Sequence, residues 1–192
     1  MLENLPAGIG RVLRGARPGL SELVFNDEAL AEVDDSIAVT SSAFGDGGAL
    51  PARFTADGEG ISPPLQWTGV PEAAAEIVLL VEDADSPTPY PLVHAIVWNL
   101  TPDDGSLAEG AMPQEALPAT SPSMGVNSYL RIGYLPPDPP PGHGPHQYAF
   151  QVFALRTPLV VETAAPGRTE LVDALHAFAC AKGMLIATYE RE

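Results

Sequence analysis

A mainly β fold is predicted, an antiparallel two-sheet β-sandwich with a C-terminal helix and an N-terminal helical extension. Apolar, β-branched runs of strand length recur along the chain. The 21 prolines and 18 glycines among 192 residues favour tight turns over long helices. The one convincing helix of the body comes late, and strands do not alternate with helices, which argues against a parallel sheet.

At the start, Leu2, Leu5, Ile9, Val12, Leu13, Ala16, Leu20, Leu23 and Val24 recur at steps of three and four, the pattern of one helical face. Gly8, Gly10 and Gly15 weaken that helix, and Pro18-Gly19 is expected to end it. So poor a helix needs tertiary contacts, either on the body or on a second subunit of a homodimer. The chain is accordingly divided into an extension, residues 1–30, and a domain, residues 36–192.

In the domain, SIAVTSSAF (36–44) alternates like a strand. EIVLLVED (76–83) and LVHAIVWNL (92–100) read as central strands covered on both faces. YAFQVFALR (148–156) and MLIATYE (184–190) complete the set. A helix is predicted over 170–182, capped by Thr169, with Leu171, Val172, Leu175, Phe178 and Ala179 inward and Lys182-Gly183 at its end. Three long Pro/Gly-rich loops, 57–75, 101–128 and 133–147, remain, and loops of that length are usually functional.

The net charge is −16. Three arginines against one glutamate give residues 1–20 a net +2, leaving −18 on the rest. An acidic body is a poor partner for a phosphate backbone, so nucleic acid is not expected. The lone Cys180 excludes an internal disulfide or a thiolate metal cluster and reads as a small buried hydrophobe on the helix. No stretch approaches the roughly 20 apolar residues of a membrane span, and no run resembles a secretion signal, so stable membrane insertion is not expected and a cytoplasmic location is.

Polar residues able to do chemistry sit at strand ends. Asp83 and Asp85 end one strand in DADSP, His94 opens another, and His146 and Tyr148 open a third after PPDPPPGHG. If these strands are neighbours, a carboxylate, two imidazoles and a phenol converge at one end of a sheet. An imidazole within an apolar run needs a partner, which a carboxylate provides. Asp83 with His94 or His146 could serve a hydrolase as general base, but Ser62 and Ser86 precede prolines and lie in no nucleophile elbow. Asp83, His94 and His146 also form a two-His, one-carboxylate set suited to a metal, though without close ligand spacing.

DGEGISPPLQWTGVP (57–71), VEDADSP (81–87) followed by His94, and GHGPHQYAFQVFAL (142–155) together resemble the three signatures of the phosphatidylethanolamine-binding protein family, in its bacterial Raf-kinase-inhibitor-like branch. The resemblance spans about residues 36–190. It implies a two-sheet sandwich and a small cavity for phosphate-like or carboxylate anions, lined by Asp83, Pro87, His94, His146 and Tyr148. Asp85, Gly142 and Gly144 would support it, and the Ser86–Pro87 bond would be cis. It further implies a binding protein rather than an enzyme, one that needs no cofactor and modulates a protein kinase or protease. Binding of the anion by imidazolium would strengthen as pH falls through about 6.5. The chain departs from the family at Pro136, where glycine is usual, at the acid Asp138, and at Gln147, where arginine is usual.

Overall fold

A computed structural model describes residues 7–117 and 121–191. Leu2, Leu5 and the rest of the first six residues of the expected helical face lie outside them. The described elements run α1 (Ala7–Leu13), β1 (Ala38–Thr40), β2 (Gly48–Ala49), β3 (Leu65–Thr68), β4 (Glu76–Asp83), β5 (Leu92–Leu100), β6 (Gly105–Leu107), β7 (Ser123–Met124), β8 (His146–Leu155), α2 (Arg168–Phe178) and β9 (Ala179–Tyr189). A six-stranded sheet of order β2-β9-β8-β4-β5-β7 packs on a three-stranded sheet of order β1-β3-β6, the sandwich the sequence predicts. All pairings are antiparallel except the short β2–β9 pair.

The central strands are covered on both faces, which is why their sequences read as unbroken apolar runs. Every residue of β4 is buried. Ile77, Leu79, Val81, Phe150 and Val152 face the small sheet, where they meet Val39 and Trp67. Their alternates Val78, Leu80, Phe153 and Leu155 face Leu171 and Leu175 of α2 and, from the leader, Val24, Phe25 and Leu30. Residues 20–30 thus form three short 3₁₀ turns that close one face of the core.

Several expectations are corrected. Among the described residues the leader helix ends at Leu13, short of Pro18-Gly19, and its Ile9 and Val12 are exposed. It packs instead through the buried Gly10, where a Cβ would overlap the Pro141 carbonyl oxygen. A missing side chain makes this contact, so an apolar period does not reveal it. Residues 57–75 contain β3, whose LQWT alternates buried and exposed. The late helix begins after Gly167, whose N–H donates to the Glu170 carboxylate at 2.6 Å, and it stops at Phe178. Cys180 and Lys182 belong to β9. Gly183 is needed for close approach rather than as a cap, since a Cβ there would overlap Ile37. The Lys182 ammonium, buried, donates to the carbonyls of Phe25 and Leu30 at 3.0 and 2.9 Å and lies over the Phe25 ring. A long amphipathic stem explains how a cation fits a core strand that composition assigns to a helix end.

Candidate functional site

Adjacent strands bring the expected residues together. Asp83, the last residue of β4, stands opposite Tyr148 of β8 and Leu92 of β5. His94 is the extra residue of a β-bulge: Val81 faces Ala95, whereas Glu82 faces Val93. A bulge of this kind re-aims one side chain. Here it seats the imidazole against the 133–145 loop, with Nδ1 donating to the Leu135 carbonyl at 2.6 Å and the His94 carbonyl accepting from Leu135 N at 2.8 Å.

A cavity of about 260 Å³ opens at this end of the large sheet. Asp83, Pro87, His94 and His146 line it. Tyr148 stands beside it, edge-on to His94 with ring centroids 5.2 Å apart and stacked with His146 at 6.3 Å. Pro136, Pro139 and Pro140 build the opposite wall, which can offer no backbone N–H from those positions. Asp138 also lines the cavity, and its carboxylate accepts from Arg191 at 2.6 Å.

The Asp83 carboxylate accepts from the Asp85 N–H at 2.8 Å through Oδ1 and meets His146 Nδ1 at 2.8 Å through Oδ2. The other nitrogen of His146 lies 2.7 Å from His143 Nδ1. Both His146 nitrogens are therefore spent inside the protein. Asp85 accepts from the Gln147 backbone N–H at 2.8 Å and from the Arg17 guanidinium at 3.0 Å. The positive charge that Gln147 does not supply thus comes from the leader. Gly142 and Gly144 shape the loop rather than line the cavity, both with positive φ, 75° and 97°. The Ser86–Pro87 bond is not cis; the cis bond among the described residues is Ser121–Pro122.

Three buried side-chain polar atoms among the described residues have no hydrogen-bond partner, and two of them, His94 Nε2 and Tyr148 OH, are here. The third, Trp98 Nε1, lies farther along β5. Burial pushes the His94 pKa below its usual 6.5, against the attraction of Asp83. With its proton held on Nδ1 by Leu135, the neutral ring presents Nε2 as an acceptor. Burial raises the Tyr148 pKa, aided by Asp83, so the phenol keeps its proton and can donate it.

The Ser86 hydroxyl, also on the wall, bonds to Thr88 at 2.6 Å rather than to an imidazole. Ser62, which does not line the cavity, accepts from the Met112 N–H. Among the described residues no group of three His, Cys, Asp or Glu is arranged to hold a metal ion. No described helix is long and apolar enough to cross a membrane.

Sequence reasoning missed His143 and Arg17. His143 stands in GHGPH, three residues before His146, but nothing in that spacing says that its ring turns back onto His146. Arg17 acts across 68 residues, and only the net charge of the leader hinted at it.

Residues 40–190 match the phosphatidylethanolamine-binding protein family. A UPF0098 protein of Methanothermobacter thermautotrophicus is 37% identical over 149 residues, covering 78% of this chain and 95% of its own. Among solved structures, the phosphatidylethanolamine-binding protein homologue CT736 of Chlamydia trachomatis superposes with a TM-score of 0.72 at 35% identity, over 83% of this chain and all of that one. Escherichia coli YbcL gives 0.74 at 27% identity, over 82% and 99%. Order, spacing, fold and extent of match agree: the chain belongs to the phosphatidylethanolamine-binding protein family.

Proposed function

We propose that the cavity binds a small acidic group, a phosphate, a carboxylate or a phosphorylated side chain, and takes it up together with one proton. The reading rests on the two unpartnered atoms. Tyr148 OH offers a hydrogen bond to a ligand oxygen, and His94 Nε2 accepts one. A fully ionised ligand satisfies only the phenol and faces the carboxylates of Asp83 and Asp138. A ligand that carries its own proton, or protonates His94 on entry, satisfies both. Buried polar atoms left unpaired cost free energy, so a group that pairs both is preferred.

The protein acts by binding rather than turnover, in keeping with its family and with serines held away from any imidazole. A kinase or protease partner would present the acidic group as a phosphorylated or acidic side chain. The pocket is head-group sized.

Isothermal titration of phosphate, acetate and phosphoethanolamine against wild type and Tyr148→Phe, at pH 6 and pH 8, tests this. One proton taken up per ligand weakens phosphate-type ligands by up to about tenfold per pH unit above a second pKa near 6. Tyr148→Phe should lower affinity by roughly tenfold, the usual worth of one such hydrogen bond. Equal affinity at both pH values would overturn proton-linked binding, and no heat with any ligand would overturn the function.

A further inference from the structure

His143 is fully buried and does not itself line the cavity. Its ring spans two parts of the chain: Nδ1 meets His146 Nε2 at 2.7 Å, and Nε2 meets the Leu13 carbonyl oxygen at 2.9 Å. His146 in turn reaches Asp83 at 2.8 Å. The row Leu13–His143–His146–Asp83 runs from the leader to the cavity wall.

Its proton count follows from geometry. A carbonyl oxygen only accepts, so His143 Nε2 carries a proton. The nitrogen–nitrogen contact needs one proton between its two rings, and so does the contact between His146 and Asp83. The row therefore holds one proton more than two neutral imidazoles beside a carboxylate would. The surplus charge is balanced by Asp83. Burial first, and then the neighbouring His146 and Arg17, oppose a charge on the His143 ring, and of the two rings it is the other that touches the Asp83 carboxylate, at 2.8 Å.

We infer that His143 is a positioning residue of the pocket, and that the single proton it shares with His146 fastens the leader to the pocket loop. Remove that proton and two ring lone pairs face each other across 2.7 Å, or His143 turns and gives up Leu13. Add a second and two N–H groups collide. Either change loosens the Pro139–His146 segment, which carries part of the cavity wall, and the helix α1 lying on it.

The charged and titratable groups around the row are Asp83 from β4, Asp85 from the turn after it, His94 from β5, Tyr148 from β8, and Arg14 and Arg17 from the leader, with the Asp138–Arg191 pair behind the loop. Asp83 favours the shared proton, and Arg17 opposes a second one. Other ties between leader and loop do not titrate near neutrality. Arg17 donates to the carbonyls of Pro145 and His143 at 2.7 and 2.6 Å, and Gly10 sits against Pro141. Loss of the proton therefore loosens the leader without detaching it.

The test is hydrogen exchange at the amides of Arg11–Ala16 in the full ligand-free chain, from pH 6 to pH 9, corrected for intrinsic exchange. Protection should drop by about tenfold in one step as pH rises, the effect of losing a hydrogen bond of ordinary net strength. Asp83→Asn should move that step to lower pH by a unit or more, because nothing then balances the shared charge. His143→Phe should show low protection throughout and no step. A merely structural His143 would leave the wild-type profile flat, and a flat profile, or an unmoved step in Asp83→Asn, overturns the inference. Should His143→Phe not fold, the other two profiles decide. No ligand enters this experiment, so its failure is distinguishable from failure of the acid-binding reading.

Discussion

The guanidinium of Arg17 and the carboxylate of Asp85 lie 3.0 Å apart, although 68 residues separate them in the chain. The same guanidinium donates to the carbonyls of Pro145 and His143. One side chain of the leader thus ties the turn that follows β4 to the loop that introduces β8.

Replacing it releases the leader locally. In Arg17→Met, trypsin should cut at Arg11 and Arg14 several-fold faster than in wild type, and urea unfolding should show a loss of about 1–2 kcal/mol, modest because part of the side chain is wet. Unchanged cleavage would mean that Gly10 and His143 alone suffice to hold α1.

Lys182 makes a stronger claim on stability. Its ammonium satisfies two carbonyls of the leader, Phe25 and Leu30, from within a core strand. Lys182→Met keeps the stem but strands both acceptors, and should cost about 2–4 kcal/mol in denaturant unfolding. A loss below about 0.5 kcal/mol would show those carbonyls to be satisfied by water instead.

The pH dependence of stability carries the mark of His94. Burial lowers its pKa in the folded protein, so below about 6.5 the unfolded chain takes up a proton that the native ring refuses. The contribution of this group is thus full above 6.5 and is lost as pH falls, at no more than about 1.4 kcal/mol per unit. His94→Asn keeps a donor for Leu135 and cannot titrate. The stability difference between wild type and variant should therefore shrink by about 1 kcal/mol between pH 7.5 and 5.5, since only the unit below 6.5 contributes. A constant difference would show that the ring protonates as readily folded as unfolded.

The large sheet was legible because β4, β5 and β8 announce themselves as apolar runs, and the site was legible because Asp83, His94, His146 and Tyr148 interrupt those runs near their ends. Contacts made by absent atoms were not legible. Gly10 and Gly183 read as a weak helix residue and a helix stop, and both are places where another backbone needs the room of a Cβ. Nor does strand periodicity announce that His94 is a bulge residue, since the bulge shows only in the pairing with β4. His143 and Arg17 act over more than 120 and 60 residues, beyond the range of any local pattern.

The proline wall bears on how the pocket discriminates. Pro87, Pro136, Pro139 and Pro140 have fixed φ angles and no rotamers to freeze. Seating a ligand against them forfeits little chain entropy, and for the same reason the wall cannot reshape itself around a poorer fit. Selectivity among acids then falls to the bulk next to the acidic group, so that small, rigid ligands are admitted and their branched analogues turned away.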